Sequence, residues 1–139
     1  MPYLELSTLK QRLEVGEYCK FWIKCNSDPK EPGGYAINLQ EKPGDSTTIL
    51  FHFNPRGASS KVAINSCIKK KWKKEVTISG MDVKDIFYDN RYELKLYVKD
   101  RRQVGVYVND VLKTDYLCPE DITEARYVCF SDDVSIITE

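Results

Sequence analysis

Three observations predict an all-β protein built as an antiparallel β-sandwich. Short runs rich in Val, Ile, Tyr and Phe alternate apolar and polar residues with the period of two that a half-buried strand imposes. The runs recur along all 139 residues, and clusters of Gly, Pro, Asn and Asp separate them. Only Pro119 to Glu124 carries the signature of a helical turn.

Taken in order, Leu4 to Leu13 has mixed spacing and reads either as a short helix or as an edge strand. Cys19 to Cys25 is a clearer strand, with Cys19, Phe21 and Ile23 alternating against Lys20, Trp22 and Lys24. Asn26 to Gly34 holds Asp28-Pro29 and Pro32-Gly33-Gly34, which is turn chemistry. Tyr35, Ile37 and Leu39 then point inward while Ala36 and Asn38 point out, and Lys42 to Asp45 makes the next loop.

The stretch from Phe51 to Glu75 is the centre of the chain. Alternation puts His52, Asn54 and Arg56 on one face and Phe51 and Phe53 on the other. Ala63 and Asn65 share a face against Val62 and Ile64, and Glu75 and Thr77 share one against Val76 and Ile78. Three such strands form a half-buried sheet whose open face carries imidazole, amide, guanidinium, carboxylate and one indole. That inventory suits a polyhydroxylated ligand.

Beyond it, Tyr92, Leu94, Leu96 and Val98 alternate with Glu93, Lys95, Tyr97 and Lys99. Gln103 to Val108 is a further strand, followed by Asn109-Asp110, which fits a tight hairpin turn requiring positive φ. Tyr127–Phe130 and Val134–Ile137 flank Ser131-Asp132-Asp133 and are expected to close a final hairpin.

Composition narrows the function classes. The length predicts one domain spanning residues 1–139. Formal net charge is zero, so no global field attracts nucleic acid or an anionic membrane. The amino-terminal residues have neither the basic lead nor the apolar core of a secretory signal, and no apolar run approaches a membrane span. Five cysteines, an odd number, predict reduced thiols and cytoplasmic synthesis. Cys67, close to Asn65, is expected at the lip of the polar face and within reach of oxidants.

His52 is the only histidine and no Cys-x-x-Cys pair occurs, so no metal site is expected. No base stands beside a nucleophile, no Gly-rich phosphate loop is present, and Glu75 lacks a carboxylate partner for glycosidase chemistry. An enzyme is not expected, nor any cofactor. Lys69-Lys70-Lys71-Trp72-Lys73-Lys74 interleaves cations with an aromatic ring, as single-strand binders do. With zero net charge and no second platform, it reads instead as a solvated loop that leaves Trp72 partly exposed.

His52-x-Asn54-x-Arg56, then Asn65, then Trp72-x-x-Glu75 resembles the sugar-binding signature of the galectins, the β-galactoside-binding lectins. The resemblance extends over nearly the whole chain, with Gly34–Leu39 similar to the strand before the site and Ala125–Glu139 to the closing strands. It implies a jelly-roll sandwich. It also implies that His52, Asn54 and Arg56 read the axial 4-hydroxyl of galactose and that Trp72 packs on the sugar's apolar face. Asn65 and Glu75 would surround the 6-hydroxyl, with Glu75 reaching the next sugar.

Further contacts are expected from Ala36, Asn38, Lys61, Ala63, Lys74 and Thr77. Galectins are commonly exported without a signal peptide, so the resemblance leaves an extracellular site of action open, and a homodimer of such a lectin would cross-link glycoconjugates. The chain departs from the family pattern at Thr77, where an arginine is usual, and in a short Arg56–Asn65 segment. The lysines around Trp72 make sulfated or sialylated galactosides the expected anionic ligands. The other reading is a galectin-fold protein with a weakened sugar site that works through protein contacts.

Overall fold

The computed structural model describes residues 1–26, 35–57, 59–79, 86–88 and 91–138. The alternating runs form β1 (Tyr3–Glu5), β2 (Tyr18–Cys25), β3 (Ile37–Gln40), β4 (Ile49–Arg56), β5 (Lys61–Ile68) and β6 (Lys71–Trp72). They continue as β7 (Val76–Ile78), β8 (Arg91–Asp100), β9 (Gln103–Val108), β10 (Val111–Leu117), β11 (Tyr127–Phe130) and β12 (Val134–Ile136). A 3₁₀ turn, Ile122–Glu124, matches the helical signal before Ala125, and Asp121 caps it by accepting from the Thr123 N–H.

Two antiparallel sheets result. One runs β1-β11-β3-β4-β5-β6, with β7 also on β5; the other runs β10-β9-β8-β2-β12. Their apolar faces meet in one core that includes Phe21, Ile37, Phe51, Phe53, Ile64, Leu94, Leu96 and Val106. Fully burying a large aliphatic or aromatic side chain contributes roughly 1.5–3 kcal/mol, so this inner layer dominates the fold's stability. A polar bridge also crosses it: the Ser66 hydroxyl on β5 donates to the Leu50 carbonyl and lies 2.6 Å from the Tyr116 hydroxyl on β10.

Several expectations resolve or change. Leu4 to Leu13 splits into the edge strand β1, which pairs with β11, and a turn with no helix. Asn109 and Asp110 take φ of 49° and 67°, and the turn joins Val108 to its cross-strand partner Val111, as a type I′ hairpin demands. The turn chemistry of 27–34 lies outside the described residues. The closing hairpin does not form. β11 pairs with β1 and β3, whereas β12 crosses to the other sheet and pairs with β2. Ser131 directs that departure: its N–H donates to the Ala36 carbonyl while its hydroxyl accepts from the Ala36 N–H, which ties the end of β11 to the β3 side.

Candidate functional site

The centre of the first sheet brings the predicted polar residues together. His52 is opposite Asn38 on β3 and opposite Asn65 on β5; Asn54 is opposite Ala63, and Arg56 opposite Lys61. Ala63 in turn pairs with Thr77 on β7. Directly opposed residues share a face. His52, Asn54, Arg56, Lys61, Ala63, Asn65, Thr77 and Asn38 therefore occupy one face, and Phe51 and Phe53 lie on the core side.

A β-bulge delimits the site at its upper end. The register between β4 and β5 shifts between Ile49 and His52. The extra residue leaves both Leu50 and Phe51 buried and returns Ile49 to the polar side, opposite Cys67. Cys67, expected at an accessible lip, is 6% exposed, with its thiol directed at the Thr47 carbonyl. All five cysteines are free thiols and buried. Burial pushes the thiols of Cys19, Cys25 and Cys118 up to about 12.

Trp72 reaches the site through a strained hairpin. β5 and β6 are joined by Lys69 and Lys70 at φ of 52° and 70°, a conformation that suits Asn-Gly better than two lysines. The backbone N–H of Lys70 donates to the Thr47 carbonyl and that of Lys69 to the Thr48 hydroxyl, which pins the turn to the neighbouring loop. Trp72 then pairs with Cys67, is 52% exposed, and sets its indole 4.8 Å from the His52 ring in a T-shaped contact. Lys71, Lys73, Lys74 and Glu75 are exposed around it.

The polar groups are mutually oriented. His52 Nδ1 lies 2.6 Å from Asn38 Oδ1. An amide oxygen only accepts, so Nδ1 carries the proton and Nε2 of the neutral ring, which lines the cleft beside Trp72, is an acceptor. Burial, helped by the Arg56 charge and partly opposed by Glu75, lowers the His52 pKa to about 4. Asn38, expected to face out, is 3% exposed and acts as the support of His52. The Met1 sulfur accepts from its Nδ2 at 3.7 Å.

Asn54 donates through Nδ2 to the Tyr35 carbonyl and accepts through Oδ1 from Arg56 Nε at 2.7 Å. Arg56 Nη2 donates to Glu75 Oε1, also at 2.7 Å, and both side chains stay more than a third exposed. Asn65 is turned inward by two bonds: Nδ2 donates to the Lys73 carbonyl and Oδ1 accepts from the Ser66 N–H. Among the described residues, these bonds leave capacity at His52 Nε2, at Arg56 Nη1 and at the second Glu75 oxygen, beside the half-exposed Trp72 indole and the exposed Lys61 and Thr77.

Sequence reasoning missed the supporting role of Asn38, the bulge that presents Ile49, and the Asn65–Lys73 bond that fastens the Trp72 segment to β5. The strand alternation flagged Asn38 and Asn65 as positions on this face, but not the bonds that they make, and it gave no signal of the bulge. Among the described residues, no cluster of His, Cys, Asp or Glu could hold a metal ion, and no helix is long and apolar enough to cross a membrane.

Residues 6–138 match the family model for galactoside-binding lectins. No curated protein sequence matches the chain. The fold is similar to that of Caenorhabditis elegans galectin LEC-6, at TM-score 0.72 and 17% identity, with 97% of this chain and 85% of that one covered. It is also similar to a human galectin-16 variant at TM-score 0.76 and 17% identity, covering 99% and 91%. Sheep galectin-11, solved with glycerol, gives TM-score 0.72 and 17% identity over 99% and 93%. The sandwich, the extent of the family match and the galectin neighbours lead to one conclusion: the chain belongs to the galectins, the galactoside-binding lectin family.

Proposed function

We propose that this protein binds β-galactosides of the lactose and N-acetyllactosamine type, as one recognition domain, through His52, Asn54, Arg56, Asn65, Trp72 and Glu75. One observation carries the reading. The inner polar side chains of this face are bonded to one another and to nearby backbone groups, while among the described residues an acceptor, a cation, a carboxylate oxygen and a half-exposed ring stand together at its surface.

An axial 4-hydroxyl can donate to His52 Nε2 and accept from Arg56. A galactose held that way presents its C–H face to Trp72. An equatorial hydroxyl would leave the largely buried imidazole unpaired, at about 1–3 kcal/mol, and would forgo the bond to Arg56, which together set the selectivity. Glu75, aimed by Arg56, accepts from the 6-hydroxyl side or from the next sugar. Asn65 supports it from below by holding the Lys73 carbonyl.

Around this centre, Ala36 lines the cleft beside His52 and Trp72. Ala63 forms the floor between Asn54 and Thr77, and Thr77 replaces a cation with a short hydroxyl. Lys61 and Lys74 supply positive charge at the rim, together with Lys69, Lys70, Lys71 and Lys73. The ligands extending best across this rim are sulfated or sialylated galactosides on glycoproteins or glycolipids. Neither nucleic acid nor membrane insertion enters the reading. Synthesis in the cytoplasm with export that needs no signal peptide, and pairing of two copies to cross-link glycans, complete the proposal.

The decisive experiment is retention on immobilised lactose, with release by free lactose and not by sucrose. Failure to bind would favour the second reading, a galectin-fold protein acting through protein contacts. Thr77 and the inward-turned Asn65 amide are the observations behind that alternative.

A further inference from the structure

We infer that Pro55 is a positioning residue: by lacking an N–H it fixes the orientation of the Asn54 amide, and through it the aim of Arg56 and Glu75.

In an antiparallel ladder, the two residues of a hydrogen-bonded pair exchange both N–H···O=C bonds. The register of β3 on β4 puts Ile37 opposite Phe53 and Leu39 opposite Phe51. Extended by one step, it puts Tyr35 opposite Pro55, and the Tyr35 N–H does donate to the Pro55 carbonyl at 3.2 Å. The return bond cannot form, because proline has no N–H. Proline is ordinarily kept out of inner strands for this reason, since it strips a ladder bond. Here the Tyr35 carbonyl accepts from Asn54 Nδ2 instead. A side chain on the polar face has taken the place of the missing backbone donor.

The consequence is directional. A carboxamide has one donating and one accepting end. With Nδ2 committed to the Tyr35 carbonyl, Oδ1 turns toward Arg56 and receives its Nε at 2.7 Å. The planar guanidinium is thereby held on one side and delivers Nη2 to Glu75 on the other, at 2.7 Å. A residue with an N–H at position 55 would compete for the Tyr35 carbonyl. That competition would weaken the bond that aims Nδ2 at Tyr35, and with it the presentation of Oδ1 to Arg56.

The test compares two replacements of Pro55 in the full chain. Pro55→Ala restores the N–H on an ordinary strand residue. Lactic acid at the same position, introduced as a backbone ester, lacks both the ring and the N–H. For Pro55→Ala we expect about a tenfold loss in lactose affinity, the scale of one misdirected charged hydrogen bond, with an unfolding midpoint that is unchanged or raised. The ester variant should retain native affinity. Equal affinity of Pro55→Ala and the native protein would overturn the inference, and so would parallel losses in both variants, which would make the ring the active feature.

The affinity arm rests on the galactoside reading, so a second readout is independent of sugar. In nitrogen-15 NMR, the Arg56 Nε–H and the Asn54 side-chain amide should keep native shifts in the ester variant and move in Pro55→Ala. Unmoved Arg56 and Asn54 signals in Pro55→Ala would overturn the positioning role. Absence of lactose binding by the native protein, with the NMR pattern as expected, would overturn only the galactoside reading.

Discussion

Two faces of this molecule carry similar side chains to opposite effect. On the outer face of the second sheet, Tyr18 is 54% exposed, nearly the same as Trp72 at 52% on the first. Both are set in a positively charged stretch: Tyr18 has the Lys95 ammonium over its ring, and Trp72 lies between Lys71 and Lys73 in the chain. Around Tyr18, however, Lys95 places its ammonium 5.0 Å from that ring and 5.3 Å from the Tyr107 ring, and pairs with Asp110. Tyr18 also packs on Tyr97, with ring centroids 4.8 Å apart. The cation there is consumed by its neighbours. Around Trp72, the hydrogen bonds run inward and leave Nε2 of His52 and one side of Arg56 open. Exposure and residue type do not separate the two faces. What separates them is where the donors and acceptors still point.

Matched substitutions test that contrast, and the largest effect is expected at Arg56. Arg56→Ala removes the proposed sugar contact together with the Arg56 bonds to Asn54 Oδ1 and Glu75. At about 1.5–3 kcal/mol for each charged hydrogen bond, lactose affinity should fall roughly a hundredfold or more. Lys95→Ala, on the other face, should leave it unchanged. Calorimetry on the pair decides the matter, and similar losses in both would erase the distinction drawn here.

Trp72→Ala should abolish retention on immobilised lactose while the circular dichroism spectrum stays native, whereas Tyr18→Ala should be retained normally. Stacking on one aromatic ring is worth about 1–3 kcal/mol on the scale known for bases. A folded Trp72→Ala protein that binds lactose as before would remove the platform from the site.

The next effect is one of pH. His52 titrates at about 4 in the folded protein against an ordinary value of 6.5, because burial and Arg56 disfavour its charged form. Lactose affinity should therefore stay flat from pH 8 to about 5, then fall as Nε2 takes a proton and ceases to accept. The same shift affects stability. Between those two values the unfolded chain binds more protons than the folded one, so stability is full above the ordinary value and declines as pH falls through the folded value. The decline is at most about 3 kcal/mol. Denaturant titrations across this range should show the slope, and His52→Gln should remove it. An affinity midpoint near 6.5 would contradict the buried, Asn38-supported ring.

The smallest effects belong to the rim. Thr77→Arg, opposite Ala63, should tighten N-acetyllactosamine binding by up to about tenfold, the value of one charged hydrogen bond. Sulfated galactosides should gain a modest advantage at low salt through Lys69–Lys74 and lose it as salt rises, since exposed charges contribute about 0–1 kcal/mol each and are screened. A glycan array with no preference for sulfated or sialylated ligands at low salt would remove the rim from the account. Calorimetry showing Thr77→Arg neutral or weaker would indicate that Lys61, which shares the face with Arg56, already supplies the cation.

Much of this protein was decided locally and was therefore legible in its sequence. Side chains on a strand alternate whatever the strand pairs with, so the shared face of His52, Asn54 and Arg56 and the core side of Phe51 and Phe53 follow from spacing alone. The Asn109-Asp110 turn is equally local, because positive φ depends on the residue and its immediate neighbours. Strand partners and hydrogen-bond directions are different. β11 and β12 sit next to each other in sequence, yet Ser131 bonds to Ala36 and the chain crosses between sheets. One extra residue in β4 turns Ile49 toward the site, and Asn38, outward by alternation, is covered by Met1 and spent on His52. Asn65 reads as a free amide until its bonds to Lys73 and Ser66 are seen. The sequence determined which residues share a face. Only the packed structure, which brings distant donors and acceptors within hydrogen-bonding distance, decided which of their atoms remain open.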